Sequence, residues 1–417
     1  MGRGVLAIAA KTALALVMVC FGAASALAGD WPQILGPNRN GLAAPGEKIA
    51  PRWKTPPKTL WERPVGSGYA GPVIVGDRLI LFHRTDGEET TECLEARTGR
   101  TIWKQGYLST FHPQVGGGDG PLCTPTIQED RVVTFGAQGI LTCYDLKSGE
   151  PLWTRNTHRE FMAQEGYFGA GNSPLVIGTT VVVNVGGSRN NSGIVGFDLA
   201  TGKTKWQYSS EQGSYSAPIA TTIEKLPRVI VVTRLKCIGL DPENGGLWFQ
   251  FPFGSRGPTV NGATPLILPT GELFLTSSYG VGATLGKLNI LGCDPVYAGD
   301  EIFASQYATP IESGGLLYGI NGRDDIPPAD LKCFDPVKRK TLWTEQSFGY
   351  GTLIGADNKL IILKTDGDLI LAEPNPAGYV ELGRTRLFNT TTRPLPALSR
   401  GILFARDEAT LKSVDLR

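Results

Sequence analysis

One short phrase is written into this chain again and again. Glu92–Trp103 reads ECLEARTGRTIW, Thr142–Trp153 reads TCYDLKSGEPLW and Val195–Trp206 reads VGFDLATGKTKW. In each, an acidic side chain can cap its own turn, a Ser or Thr supports it, and Gly99, Gly149 or Gly202 supplies the positive φ that the turn demands. Four residues after the Gly comes Trp103, Trp153 or Trp206, and Trp343 closes the related phrase that begins DPVKRK. The acidic anchors fall at Glu95, Asp145, Asp198, Asp241, Asp294, Asp335, Glu373 and Asp415, at spacings of 38 to 53 residues. Ahead of each lie a short segment ending in Pro and aliphatics (GNSPLVI, GATPLIL), a tight turn and a β-branched run (VVVNV, VIVVT). Each unit therefore reads strand, hairpin, strand, loop, strand, hairpin, strand, and repeats of this length build propellers.

A single four-stranded sheet cannot bury both of its faces, so a large flat side chain on the outer strand is expected to peg each blade to the next. Equivalent tryptophans placed around a wheel cannot all face one ligand, which makes them structural. Eight anchors give eight blades, yet the last stops at LKSVDLR without its closing strand. That strand is found in KTLWERPVG, where Trp61 takes the repeat position. The expectation is an all-β, eight-bladed propeller of four-stranded antiparallel blades over residues 58–417. Its ring is closed by the N-terminal strand joining the C-terminal blade, which removes the free edges. Two units depart from the pattern: Asp294 is followed by PVYAGDEIF, with Phe303 in the Trp's place, and Glu373 by PNPAGYVEL with no Trp. Both are expected to be looser at the outer strand.

Residues 1–28 have the layout of a secretory signal peptide: Arg3 and Lys11, an apolar stretch from Ala13 to Phe21, and the small-residue site Ala26-Leu27-Ala28. Val19 before Cys20 fits a lipoprotein signal poorly. Residues 29–57, rich in Pro and Gly, form an irregular arm. With 40 basic against 39 acidic groups, the overall charge balance points to neither nucleic acid nor an anionic membrane as a partner. The six cysteines after the leader (93, 123, 143, 237, 293, 333) form no CxxC or CxxCH pattern. Cys93, Cys143 and Cys333 stand two residues before an anchor, where other copies have Gly196 or Gly239. That is a small buried strand site, read as a free thiol, with disulfides as the alternative.

The phrase D-x-x-T/S-G-x-x-x-W, preceded by paired strands, resembles the pyrroloquinoline quinone (PQQ) repeat. Residues 30–417 are similar to the bacterial, exported PQQ-binding-like β-propeller repeat proteins, and DWPQILGPNRNG resembles the arm that begins many of them. The same repeat builds quinoprotein dehydrogenases and non-catalytic outer-membrane assembly lipoproteins. The dehydrogenases hold their quinone between a Trp and a disulfide of adjacent cysteines, with calcium on carboxylate and amide oxygens and an Asp as base. This chain has no adjacent Cys pair and no haem motif. No catalytic residue is carried over and no metal ligand is assigned. Neither PQQ nor calcium is expected, and the enzyme reading stays open only as an atypical PQQ-dependent oxidoreductase with a ligand in the axial channel. Only His83, His112 and His158 are present, none at metal-ligand spacing. The glycine-rich run Gly116–Gly120 follows no strand-to-helix turn, so it is read as a flexible loop.

The resemblance implies a monomeric binding or assembly scaffold in the periplasm or envelope, holding a protein partner, with a carbohydrate- or peptide-binding module as a third reading. Long insertions (His83–Thr91, Gly186–Gly193, Ser277–Gly286, Asn321–Asp330, Gly106–Gly120, Arg155–Gly171) are all expected on one face, which is therefore the working surface. Candidates there are Arg189, Asn190, Arg323, Asp324 and Asp325 in the loops, with Tyr69, Tyr215, Asn261, Tyr307 and Tyr350 at inner-strand starts. The alternative for the aromatics is packing between inner strands, and for Arg323-Asp324-Asp325 a solvated loop. Replacing Arg323 and Asp324 by Ala should then leave stability nearly unchanged.

Overall fold

A computed structural model describes residues 29–417. The leader expected over residues 1–28 lies outside the described residues. The chain forms eight four-stranded antiparallel sheets arranged as blades. Blades 1 to 7 span residues 73–108, 126–156, 175–208, 219–252, 266–299, 311–345 and 351–386. Blade 8 contributes Ala397–Ser399, Ile402–Arg406 and Thr410–Asp415, and Lys58–Pro64 completes it. Trp61 pairs with Ser413 and Lys58 with Asp415, so the ring closes as the repeat pattern requires. The first strands of neighbouring blades approach one another and line the axis. The second and third strands are sandwiched between neighbouring blades. Leu79–Phe82 and Val181–Val183 are wholly buried although successive side chains point to opposite faces.

The outer strands carry the pegs. The indole N–H of Trp61 donates to Ala96 O (2.9 Å), Trp103 to Leu146 O (3.0 Å), Trp153 to Leu199 O (2.9 Å) and Trp206 to Pro242 O (2.8 Å). Each acceptor belongs to the acidic turn of the next blade. The turn glycine has a second duty here. A Cβ on Gly149 would fall 2.5 Å from Trp103, and one on Gly202 2.6 Å from Trp153. The Cys-or-Gly site is explained by register: Cys93, Cys143, Gly196 and Cys333 lie directly across from Trp103, Trp153, Trp206 and Trp343. A Cβ at Gly196 would strike the Trp206 ring at 2.2 Å. All six thiols are free, and all but Cys293 are buried.

Three expectations need correction. In blade 5 the third strand ends at Asn289, whose Oδ1 accepts from the N–H groups of Leu291 (2.8 Å) and Gly292 (3.1 Å). Asn289 is therefore the anchor. Asp294 lies in the outer strand, because an Asn side chain closes such a turn as well as an Asp does. Tyr297, buried under the Arg339 guanidinium, takes the peg's place, and Phe303 lies beyond the strand in the core. Blade 7 is not left bare either. Trp53 of the arm lies on Gly383 and donates its backbone N–H to Leu382 O (3.1 Å). Finally, His83–Thr91 is not an insertion: two long strands run through it, turning only at Asp86-Gly87. Likewise, Ser277–Gly286 contains only a short turn between its strands.

The arm is structured, and it crosses the face that carries the tight hairpins. Trp31 exchanges two hydrogen bonds with Ile74, Gly41 and Ala43 bond Gly355, and Glu47 accepts from Arg400 N and Gly401 N. From it Arg39 enters the axis. Its guanidinium donates to Gln33 Oε1 (2.7 Å), Pro218 O (2.8 Å), Thr126 Oγ1 (3.1 Å), Ser173 O (3.3 Å) and Pro174 O. None of these is a carboxylate, so burial pushes its pKa down to about 9. One side chain thus ties the arm to the inner strand of blade 2 and to the segments leading into those of blades 3 and 4.

Candidate functional site

With the arm closing one face, the opposite face carries the longer loops. Two recesses open on it. The first, of about 310 Å3, lies over blades 2 to 4 and is walled by Tyr215, Asn172, Asn184, Gln212, Arg234 and His158. Its amides are engaged: Asn172 Nδ2 donates to Asn184 O (2.8 Å), and Asn184 Oδ1 accepts from Ser214 N (2.9 Å). Tyr215 Oη accepts from Phe168 N (3.0 Å), fixing the loop between blades 2 and 3, and burial raises its pKa to about 12. His158 stands edge-on to Phe135, and burial lowers its pKa to about 4, so it is neutral at physiological pH.

The second recess, of about 490 Å3, lies where blades 8, 1 and 2 meet, lined by Tyr69, Arg393, Glu408, Ser67, Gly117 and Gly118. Here the chain assembles a charged relay. Tyr69 Oη donates to Glu408 Oε1 (3.2 Å), and the Arg393 guanidinium lies 5.4 Å from the Tyr69 ring centre. Arg393 Nε donates to Asp324 Oδ2 (2.8 Å), and Thr365 Oγ1 donates to Asp324 Oδ1 (2.9 Å). Burial opposes the Arg393 charge, but Asp324 outweighs it and the pKa lies above that of a free arginine. Tyr307 packs against Tyr350, ring centres 4.6 Å apart. Tyr350 Oη accepts from Tyr307 N (2.8 Å) and Ala308 N (3.0 Å).

The predicted residues are therefore divided. Tyr69, Asp324, Tyr307 and Tyr350 come together around Arg393. Arg323 and Asp325 pair with each other beside them, Arg323 lying 4.4 Å from the Tyr279 ring centre. Tyr215 belongs to the first recess. Arg189 and Asn190 stand apart, exposed on a 3-10 turn. Asn261 is not presented to solvent. It is 2% exposed, and its amide donates to Thr233 O and Arg234 O, closing a loop. Asp324 is not part of a solvated loop: its side chain is 11% exposed and twice bonded. Sequence reasoning missed Arg393, Thr365 and Gln306, whose amide donates to Asp325 Oδ1 (3.0 Å) and accepts from Asp324 N (2.8 Å). Arg393 stands alone in FNTTTRPLP, and only its being the one charge in a long inter-blade loop marked it.

The PQQ-type arrangement does not fit these residues. The six cysteines are separated from one another and all but Cys293 are buried, and the pegging tryptophans are committed between blades. Among the described residues no three His, Cys, Asp or Glu side chains converge to hold a metal ion. Buried His83, with Nδ1 accepting from Gly66 N (2.9 Å) and Nε2 3.4 Å from Glu92, fastens blade 1 to the closing strand.

The fold and site define an eight-bladed propeller built from PQQ-type repeats, with one face closed by its own arm. The chain belongs to the family described as outer membrane protein assembly factor BamB, whose model matches residues 87–345. A search of curated proteins gives no match. Among solved structures, the quinohemoprotein alcohol dehydrogenase from Comamonas testosteroni is similar with a TM-score of 0.70 at 13% identity, over 94% of this chain and 81% of that one. BamB from Moraxella catarrhalis gives 0.61 at 14% identity, over 86% and 99%. A europium-containing methanol dehydrogenase gives 0.67 at 11%, over 93% and 89%. At these identities the likenesses speak for the fold, which both kinds of protein share. Among the described residues no helix is long and apolar enough to cross a membrane.

Proposed function

We propose that this protein is a non-catalytic binding scaffold of the bacterial envelope, exported by the leader over residues 1–28, and that its loop-bearing face holds a protein partner. The observation that carries the reading is the state of the charges on that face. Asp324 is bound to Arg393, Asp325 to Arg323 and Glu408 to Tyr69. These three carboxylates are thus spent on arginine or tyrosine partners and do not converge on a common point, as a catalytic set would. What the face offers is a firmly fixed surface of tyrosines, arginines and backbone edges, the chemistry of protein interfaces. Membership of a family described as an outer membrane assembly factor supports the same reading.

The test places a photo-crosslinking residue at Arg189 or Arg323 on the loop face, and at Lys147 on the opposite face, in cells making the protein. Discrete partner bands from the first two positions and none from Lys147 are expected. The companion measurement is an absorbance titration with PQQ and calcium. Stoichiometric uptake would make the protein an atypical quinoprotein and overturn the scaffold reading.

A further inference from the structure

The acidic turns of the eight blades provide an internal comparison, because each holds the same structural position at the rim of the arm-bearing face. Two residues past the anchor, the tip is Arg97, Lys147, Ala200 and Glu243 in blades 1 to 4, then Leu291 and Val337 in blades 5 and 6, then Asn375 and Arg417. Two adjacent blades alone put a large aliphatic side chain there, and both are bare: Leu291 is 88% and Val337 65% exposed. Blade 5 has no charge in its turn at all, since Ile290-Leu291-Gly292 replaces the polar turn of the repeat. Further exposed apolar groups lie around these tips, with one opposite-charge couple, Lys287 and Asp294, exposed beside them. Leu247 precedes Trp248, whose indole reaches Asn289 O and Ile290 O, and exposed Val296 precedes Tyr297, on which Arg339 lies. The pegs thus bring three consecutive blades into one apolar rim.

Lys338, Arg339 and Lys340 follow Val337 directly and are all exposed, and only Lys338 is paired, with Asp335 at 3.2 Å. A bare aliphatic strip bordered by an exposed basic run is the composition of a surface that dips its apolar tips into a bilayer while its cations meet anionic headgroups. We infer that the rim of blades 5 and 6 is a docking site for an anionic membrane surface, which would turn the loop-bearing face away from the lipid. The charge on this rim favours that occupant over a second copy of the chain, whose rim would present the same three cations. The inference stands on different residues from the scaffold reading, and either can fail alone.

The test is sedimentation of the purified protein with vesicles of phosphatidylcholine alone or mixed with phosphatidylglycerol. The protein should bind the anionic vesicles, and added salt should weaken that binding. Leu291→Asp with Val337→Asp should lower binding at least about tenfold, while Lys338→Gln with Lys340→Gln should lower it about tenfold on anionic vesicles only. All four side chains are exposed, so the urea unfolding midpoints should match the parent protein and exclude misfolding. Failure of the parent protein to bind, or binding indifferent to Leu291→Asp with Val337→Asp, would overturn the inference. A concentration-dependent dimer, lost in that same variant and without vesicle binding, would reassign the rim to self-association.

Discussion

Gly149→Ala should destabilise the protein far more than Gly314→Ala, although both glycines hold a positive φ, +77° and +62°. A left-handed backbone costs an alanine about 1 kcal/mol at either site. At Gly314 nothing lies within 4 Å of the new methyl group, so that cost is the whole effect. At Gly149 the methyl would fall 2.5, 2.7 and 2.8 Å from three atoms of the Trp103 ring. That ring cannot swing aside freely: it is 8% exposed, faces Cys93 across the sheet and donates to Leu146 O. Forcing a methyl group into such packing adds about 1–3 kcal/mol, for a total of about 2–4 kcal/mol. Urea unfolding followed by circular dichroism measures both variants. In a double-mutant cycle, Trp103→Ala should remove the excess at Gly149 and leave Gly314→Ala untouched. Equal losses at the two glycines, or no coupling to Trp103, would refute the seating of each peg on the next blade's turn.

Asp324→Ala strands a half-buried guanidinium and the Thr365 hydroxyl, and should cost about 1–2 kcal/mol, whereas Arg323→Ala, which frees exposed Asp325 and uncovers the Tyr279 ring, should cost under about 1 kcal/mol. Equal unfolding midpoints for the two would show the Arg393 relay to be loose. Burial raises the thiols of Cys123 and Cys237 well above the usual range and those of Cys143 and Cys293 to about 11. A thiol reagent at neutral pH should therefore label the native protein at Cys293 at most and all six sites after unfolding, and rapid native labelling elsewhere would contradict this packing. Acid should weaken the closure in two windows. Burial holds the His83 pKa below 6.5 against the pull of Glu92, so the unfolded chain takes up the proton first and stability falls as the pH drops below about 6.5. Burial would raise Glu92, but His83, Thr101 and Arg63 bring it down to about 2, so its contribution is lost between about 4.5 and 2. Unfolding midpoints of the parent protein, His83→Gln and Glu92→Gln from pH 7 to 3 test this, and parallel profiles for all three would refute it.

The blade count, the strand order within a blade, the pegging tryptophans and the closing strand were all legible in the sequence. They rest on local rules: an Asx turn needs its acid and glycine, a strand its alternation, and a sheet a cover for its second face. Reading failed where chemistry substitutes for identity. Asn289 closes the blade 5 turn as an Asp would, which moved the anchor and hid Tyr297 as the peg. It failed again where partners are remote in sequence. Trp53 covers blade 7, Arg39 bonds the inner strand of blade 2 and the segments leading into those of blades 3 and 4, and Arg393 meets Asp324 across 69 residues. The sequence alone determined that this chain is a ring of repeats, because each repeat's turn and strand preferences are satisfied within some forty residues. Which face is closed, which charges are spent and where the rim is bare were decided only by the tertiary structure, because those depend on which blades the closed ring brings side by side.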